Sequence, residues 1–440
     1  MGADPDGGRQ TVSQPVCRRR DHGGQCSRPG LSGGDRHDHR RRLRPHRRRR
    51  CRPQPQPVTQ GQGHMDDVSL IKLASTPAHE ETARIMQVCN ACRYCEGFCA
   101  VFPAMERRRL FDVGDTAQLA NLCHHCGACY HACQYAPPHE FAVNLPLTLA
   151  ERRAETWAEF AWPGPLSGLF ERNGLALVMI ITSALALAVG LMLAMISPQL
   201  FWGVHIGEGA FYLLMPHTVM AGIPMAITAF TIVAFIIGWR RYWRGTGARW
   251  GGWPAFADAM SATATMRNLG GDNLGDGAGC PGPDDRNSLA RRYYHHATFY
   301  GFMLCFASTS TGTIYHYLLG REAPYGYLEL PVVLGTVGGI MLCVGTAGLW
   351  REKRRMEPAV RPLAKLGMDY AFIWVLFWVS ATGLVLLALR ETSFMGLTLA
   401  IHLGLVYGFF LVLPYSKFVH GLYRFAALLA DAGEARRSAM

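Results

Sequence analysis

From residue 174 onward, apolar residues come in runs too long for the core of a soluble domain, and polar residues gather between the runs. A hydrocarbon layer of ~30 Å takes about 20 mostly apolar residues to cross as a helix. Six stretches meet that rule: 174–196, 211–239, 294–319, 331–350, 368–389 and 394–413, the last continuing as a more polar extension to 425. The first, fourth and fifth carry no internal charge on their central turns, whereas the others hold polar residues that need a separate reason. Residues 65–160 read differently. They are polar and helix-compatible, with few β-branched alternations and helical signals at 79–86 and 115–122, the latter with Asp115 as the expected N-cap.

The expected architecture is therefore mainly α. A small helical ferredoxin domain (65–160) leads through an interfacial linker (161–173) into a six-helix transmembrane bundle (174–425), with a long loop at 240–293 and a tail at 426–440. The loop contains Gly270-Gly271-Asp272-Asn273 and a second Gly/Asp run ending at Cys280-Pro281. It lacks the Gly-x-Gly-x-x-Gly spacing of a dinucleotide site and reads as a docking loop, with Cys280 as an ordinary loop thiol.

Charge changes the picture at one end only. Residues 1–64 hold fifteen arginines against five aspartates, ten of the formal +12 of the whole chain, and no aromatic residue. Such a segment cannot bury enough apolar surface to offset its ordering entropy, so it is expected as a disordered Arg-rich arm. Met65, followed by Asp66-Asp67-Val68, leaves open that 1–64 is instead an over-extended reading frame. The rest of the chain is nearly neutral, which excludes a nucleic-acid partner for the folded part.

Basic residues set the expected orientation. Arg240, Arg241, Arg244, Arg249, Arg267, Arg286, Arg291 and Arg292 fill the second loop, and Arg351, Lys353, Arg354, Arg355, Arg361 and Lys365 the fourth. Lys417, Arg424, Arg436 and Arg437 follow the last span, while the alternate loops hold only Arg321 and Arg390. Both termini and the cysteine-rich domain are thus expected on the cytoplasmic side of a bacterial inner membrane.

The most specific chemical signal is doubled: Cys89-x-x-Cys92-x-x-Cys95-x-x-x-Cys99 and Cys123-x-x-Cys126-x-x-Cys129-x-x-x-Cys133. This is the spacing of two-cluster bacterial ferredoxins, in which the fourth cysteine of each run reaches the other cluster. Cys89, Cys92, Cys95 and Cys133 are expected to hold one [4Fe–4S] cluster, and Cys123, Cys126, Cys129 and Cys99 the second. Disulfides are disfavoured in a reducing compartment, and zinc sites use paired cysteines rather than two runs of four. Pro103 and Pro137 stand four residues after each run rather than directly after it, a departure in loop geometry.

Ionisable residues inside spans are functional candidates. His295, His296 and His316 fall in the third span, His402 and His420 in the sixth or its extension, and His217 in the second. On one continuous helix His402 and His420 share a face about 27 Å apart. Matched depth then pairs His295 or His296 with His420 at an inner site, and His316 with His402 at an outer one, each able to hold a haem iron axially. His217 is a rival outer ligand or a quinone-site residue. Gly301, Gly312, Gly383, Gly396, Gly404 and Gly408 offer room for a macrocycle or simply close helix packing. Without a Cys-x-x-Cys-His sequence, the haem is b-type.

The segment Cys89-Asn90-Ala91-Cys92-Arg93-Tyr94-Cys95-Glu96-Gly97-Phe98-Cys99-Ala100-Val101-Phe102-Pro103-Ala104-Met105 resembles the tricarballylate and citrate utilisation protein B family. So do Trp162-Pro163-Gly164-Pro165-Leu166 and His295-His296-Ala297-Thr298-Phe299-Tyr300-Gly301-Phe302, and the likeness runs from about residue 70 to the end. The resemblance implies a membrane electron-transfer protein. Its partner would be a soluble FAD-dependent tricarballylate or dicarboxylate dehydrogenase, whose reduced flavin it reoxidises through the clusters and one or two haems toward quinone. The membrane half also looks like the cytochrome b subunit of nitrate reductase. No acid, base or nucleophile of the polypeptide is required, so no catalytic residue is assigned and the chain reads as a subunit of an oxidoreductase system. Two other classes stay open: the electron-transfer module of a heterodisulfide-reductase-like oxidoreductase, and a non-enzymatic iron–sulfur sensor.

Overall fold

A computed structural model of the chain describes residues 75–172, 174–269, 279–281 and 287–439. The Arg-rich arm at 1–64 and the Gly/Asp run of the long loop lie outside these residues.

The cysteine-rich segment folds as short helices whose ends carry the thiols. Helix α1 (Pro77–Cys92) starts where the Thr76 hydroxyl accepts from the His79 amide, and it stops where Arg93 turns left-handed (φ 56°). That stop puts Cys89 and Cys92 on its last turn. After α2 (Val101–Glu106) comes α3 (Val113–Leu122), whose N-cap is Asp112 rather than Asp115. Asp115 is the third residue of a capping box, its carboxylate reaching back to the Asp112 amide, so the helix begins one turn earlier than expected. Helix α4 (Ala128–His131) and α5 (Leu145–Phe160) complete the domain around Ile85, Met86, Phe102, Leu119, Leu149 and Phe160, all essentially inaccessible.

Beyond a 3₁₀ turn at Gly164–Phe170 the long helices begin. They are α6 (Leu175–Met195), α9 (His217–Gly245), α11 (Ala290–Leu319), α12 (Leu330–Arg355), α13 (Leu366–Leu389) and α14 (Met395–Val412). Two short helices, α7 (Pro198–Phe201) and α8 (Ala210–Leu214), precede α9. The expected second span is thus broken at Met215-Pro216, where proline lacks the amide that a continuing helix needs.

Five segments among the described residues are long and apolar enough to cross a membrane: Leu175–Met195, His217–Gly245, Leu330–Arg355, Leu363–Leu389 and Met395–Ala439. Helix α11 has the length without the apolarity, because Arg291, Arg292 and the hydroxyl-rich run Ser308–Thr313 dilute it. Leu175, Met179 and Leu187 of α6 stay more than 60% exposed, a face suited to lipid and not to water.

Small residues set the helix seams. A Cβ at Gly301 of α11 would meet the Gly338 carbonyl oxygen of α12 at 2.9 Å, and Gly404 and Gly408 of α14 lie against Leu185 and Ile181 of α6. Gly396 abuts Phe201, Gly383 the His402 ring and Gly312 the Tyr325 ring. The six glycines are therefore taken up by packing, the simpler of their two expected roles.

Two segments differ from the sequence reading. The first part of the long loop is helix α10 (Gly252–Thr265), packed on the last helix, α15 (Val419–Ala439). The expected tail at 426–440 is, as far as residue 439, the second half of α15, with Ala426, Ala427 and Ala430 fully buried. Helix α15 ties the cysteine domain down through Arg107 to Asp431 and Arg108 to Glu434.

At the same end, Asp369 of α13 pairs with Lys353 (2.6 Å) and Lys417 (2.5 Å). Removing one partner of a buried ionic group strands the rest, so Asp369→Asn is expected to cost about 3–5 kcal/mol, measured as a lowered unfolding midpoint in detergent. An unchanged midpoint would show that water already screens the lysines.

Candidate functional site: two thiol sets beside a histidine pair

The last turn of α1 delivers Cys89 and Cys92, the turn after it delivers Cys95, and the chain leaving α4 returns Cys133 to them. These four line a cavity of about 240 Å³, walled also by Phe102, Tyr135 and, from the second run, Cys129. Burial pushes the Cys89 and Cys95 thiols up to about 12, and for both the neighbour that acts most strongly is Cys133.

The other four cysteines form a second group. Burial raises Cys99, whose nearest thiol influences are Cys126 and Cys123, and it raises Cys129 under the influence of Cys126, Cys123 and Cys99. Cys123 is raised by burial and pulled back by Arg153. Cys95 acts on both Cys99 and Cys129, so the two sets adjoin. Cys133 thus neighbours the thiols of the first run, and Cys99 those of the second.

Among the described residues no three His, Cys, Asp or Glu side chains converge on one point as ligands of a single metal ion. The thiols instead surround a volume. Neutral, buried thiols must lose their protons to ligate iron, so loading such a site releases protons.

The surroundings of the two sets are unlike. Tyr94, beside the first, is 69% exposed. The second set is enclosed, and it has a neighbour that the sequence presented as an ordinary loop thiol. Cys280 begins a two-residue strand, β1 (Cys280–Pro281), paired antiparallel with β2 (Asn287–Ser288), and it lies against α4. Cys126 donates a hydrogen bond to Cys280, which lowers Cys280 to about 7 with help from Arg291 and raises Cys126. Spacing could not reveal this contact, because about 150 residues separate the two cysteines.

The inner histidines do meet. The rings of His295 and His420 lie 6.0 Å apart at an interplanar angle of 75°. His420 Nδ1 donates to the Lys417 carbonyl at 2.5 Å, which leaves Nε2 without a proton and free to accept. His295 Nδ1 and His296 Nε2 are buried without a hydrogen-bond partner. His296 turns toward Tyr300, leaving His295 as the partner of His420.

Helix α11 packs closely on α12 alone; toward α14 and α15 it makes at most marginal backbone contact and reaches across with rings, His295 to His420 and Phe302 to Phe409 and Phe418. Side chains bridge these helices.

The outer histidines are arranged otherwise than depth matching suggests. His316 stacks on His217 at 3.7 Å between ring centroids, and its Nδ1 lies 3.3 Å from the Tyr212 hydroxyl. His402 Nδ1 lies 3.2 Å from the Thr382 hydroxyl, and among the described residues His316 is not one of its ring neighbours. The single-helix phase argument also lapses, because Pro414 interrupts the chain between α14 and α15 with a 3₁₀ turn at Leu413–Tyr415. His420 reaches its site from a separate helix.

Comparison with known proteins gives a consistent assignment. Residues 82–159 match the model of the citrate utilization protein B Fer4-like domain, and residues 168–440 match that of citrate utilization protein B. A relative from Escherichia coli described as citrate utilization protein B is 48% identical over 371 residues, covering 82% of this chain and 94% of the relative. No solved structure matches.

Proposed function

Because the chain belongs to the citrate utilization protein B family, we propose that it is a membrane electron-transfer protein serving the oxidation of tricarballylate, citrate or a similar carboxylic acid by a partner. The observation that carries this reading is the sorting of eight cysteines into two adjoining sets, one beside an exposed surface and the other beside the His295–His420 pair.

In this proposal Cys89, Cys92, Cys95 and Cys133 ligate one [4Fe–4S] cluster, and Cys99, Cys123, Cys126 and Cys129 the other. These clusters and a b-type haem supply one-electron redox chemistry, which amino-acid side chains lack. His295 and His420 hold the inner haem iron, and Lys417 fixes the tautomer of His420. His402 serves an outer haem, with His316 or His217 opposite.

Helix α11 completes a bundle of six spans, with the hydroxyls of Thr309, Ser310, Thr311 and Thr313 satisfied by carbonyls four residues back on their own helix. In this reading the thiol domain and both termini lie in the cytoplasm, as the excess of Arg and Lys in those loops supports; a soluble flavin-dependent dehydrogenase docks there, and quinone in the bilayer accepts the electrons.

The test is quinol formation. Anaerobic, dithionite-reduced protein in liposomes, freed of reductant and mixed with a soluble ubiquinone analogue, is expected to be reoxidised with matching quinol formation. Protein that stays reduced while the analogue is present would overturn the reading in favour of a sensor.

A further inference from the structure

Three arginines from three helices converge on the backbone that carries the second thiol set. Arg153 of α5 and Arg424 of α15 both donate to the Cys123 carbonyl, at 2.6 and 2.7 Å, and Arg424 Nε also reaches the Asn121 carbonyl. Arg291 of α11 donates to the His125 carbonyl at 2.6 Å and the His124 carbonyl at 3.1 Å. Among the described residues none of the three is ion-paired with a carboxylate. Lys353 and Lys417 stand behind them, sharing Asp369.

The turn itself is constrained. His125 is left-handed (φ 55°), donates its amide to the Cys123 sulfur at 3.3 Å and bonds through Nε2 to the Val360 carbonyl. Each guanidinium is thus pinned, and the local excess of positive charge is costly unless an anion shares the space. Among the described residues the first set has no such clasp: Arg84 and Arg93, on that side of the domain, are exposed to water.

From this asymmetry we infer that Arg153, Arg291 and Arg424 hold the cluster of Cys99, Cys123, Cys126 and Cys129 at a higher potential than its neighbour, making it the exit cluster of the pair. The inference rests on the proposed ligation. A four-thiolate cluster is anionic and gains one negative charge on reduction, so fixed cations and N–H···S bonds favour its reduced form. The exit direction follows from position. Arg424 lies one helical turn beyond His420 on α15, so one hydrogen bond and one turn join the Cys123 backbone to the histidine pair. Tyr94 and the first set, at the exposed surface, are then the input side.

The test is an anaerobic redox titration followed by EPR on the full chain, with iron content measured on each preparation. Arg424→Gln and Arg153→Gln are each expected to lower the midpoint potential of one cluster and leave the other in place, while Arg424→Lys, which keeps the charge, stays close to the parent. The shifted signal is the one lost in Cys126→Ala. Two assembled clusters with unmoved potentials, equal movement of both, or the same shift in Arg424→Lys as in Arg424→Gln would overturn the inference while sparing the proposed function. A parent chain without iron would overturn both. If Arg424→Gln does not assemble, Arg153→Gln and Arg291→Gln decide the matter by the same readout.

Discussion

Replacing Cys133 with alanine is expected to remove one cluster whole, lowering non-haem iron from about eight to about four per chain. The reason is the crossing. Cys133 belongs by sequence to the second run, yet it lines the cavity with Cys89, Cys92 and Cys95 and is the neighbour that acts most strongly on Cys89 and Cys95. Its loss therefore strands three thiols of the first run and leaves Cys99, Cys123, Cys126 and Cys129 complete. Adding Cys89→Ala should remove no further iron, because both residues serve one cluster. Adding Cys126→Ala should remove the remainder. The opposite pattern, additive loss with Cys89 and none with Cys126, would mean that each run closes on its own cluster.

Replacing His420 with alanine is expected to abolish the haem proposed between α11 and α15, since a bis-histidine iron that loses one axial ligand rarely keeps its low-spin state or its haem in detergent. His295→Ala should give the same reduced-minus-oxidised spectrum, and the double replacement no additional loss, because the two rings meet edge-on at 6.0 Å between centroids. His402→Ala should act on a different spectral component. Whether His316→Ala or His217→Ala reproduces the His402 effect identifies the opposite outer ligand, a choice that their stacking leaves undecided. Loss of haem in His296→Ala with retention in His295→Ala would transfer the inner site to the neighbouring residue.

The sequence was most legible where chemistry demands fixed spacing. Four cysteines in each run carry a Fer4-like pattern, which the family model over 82–159 matches, and the ferredoxin rule supplies an expected crossing of Cys99 and Cys133. Long apolar runs were as plain, and the helices over 175–195, 330–355 and 366–389 lie within a few residues of the expected spans in register and content. What hydropathy could not show was continuity. Pro216 and Pro414 each interrupt a run that is apolar on both sides, and a measure of composition passes over a missing amide.

Long-range contacts were hidden for a different reason. Arg153, Arg291 and Arg424 look like ordinary basic residues of helix ends and loops. Their meeting at one turn depends on how α5, α11 and α15 stack, which no local pattern encodes. Cys280 was discounted because its sequence neighbours are turn formers; its proximity to Cys126 arises only when the strand pair Cys280–Pro281 and Asn287–Ser288 closes on α4. The stacking of His316 on His217 was hidden by the same route, since depth along a span says nothing about which helix lies opposite.

The central claim is that one chain carries both cluster thiols and haem histidines in working order. The most direct measurement is a pyridine haemochrome assay with a reduced-minus-oxidised visible spectrum and non-haem iron determination on the anaerobically purified, detergent-solubilised protein. The account predicts a b-type spectrum from at least one haem together with about eight non-haem irons per chain. Intact iron–sulfur clusters without any haem would contradict it, and would leave His295 and His420 as packing residues beside a path that runs from cluster to quinone directly.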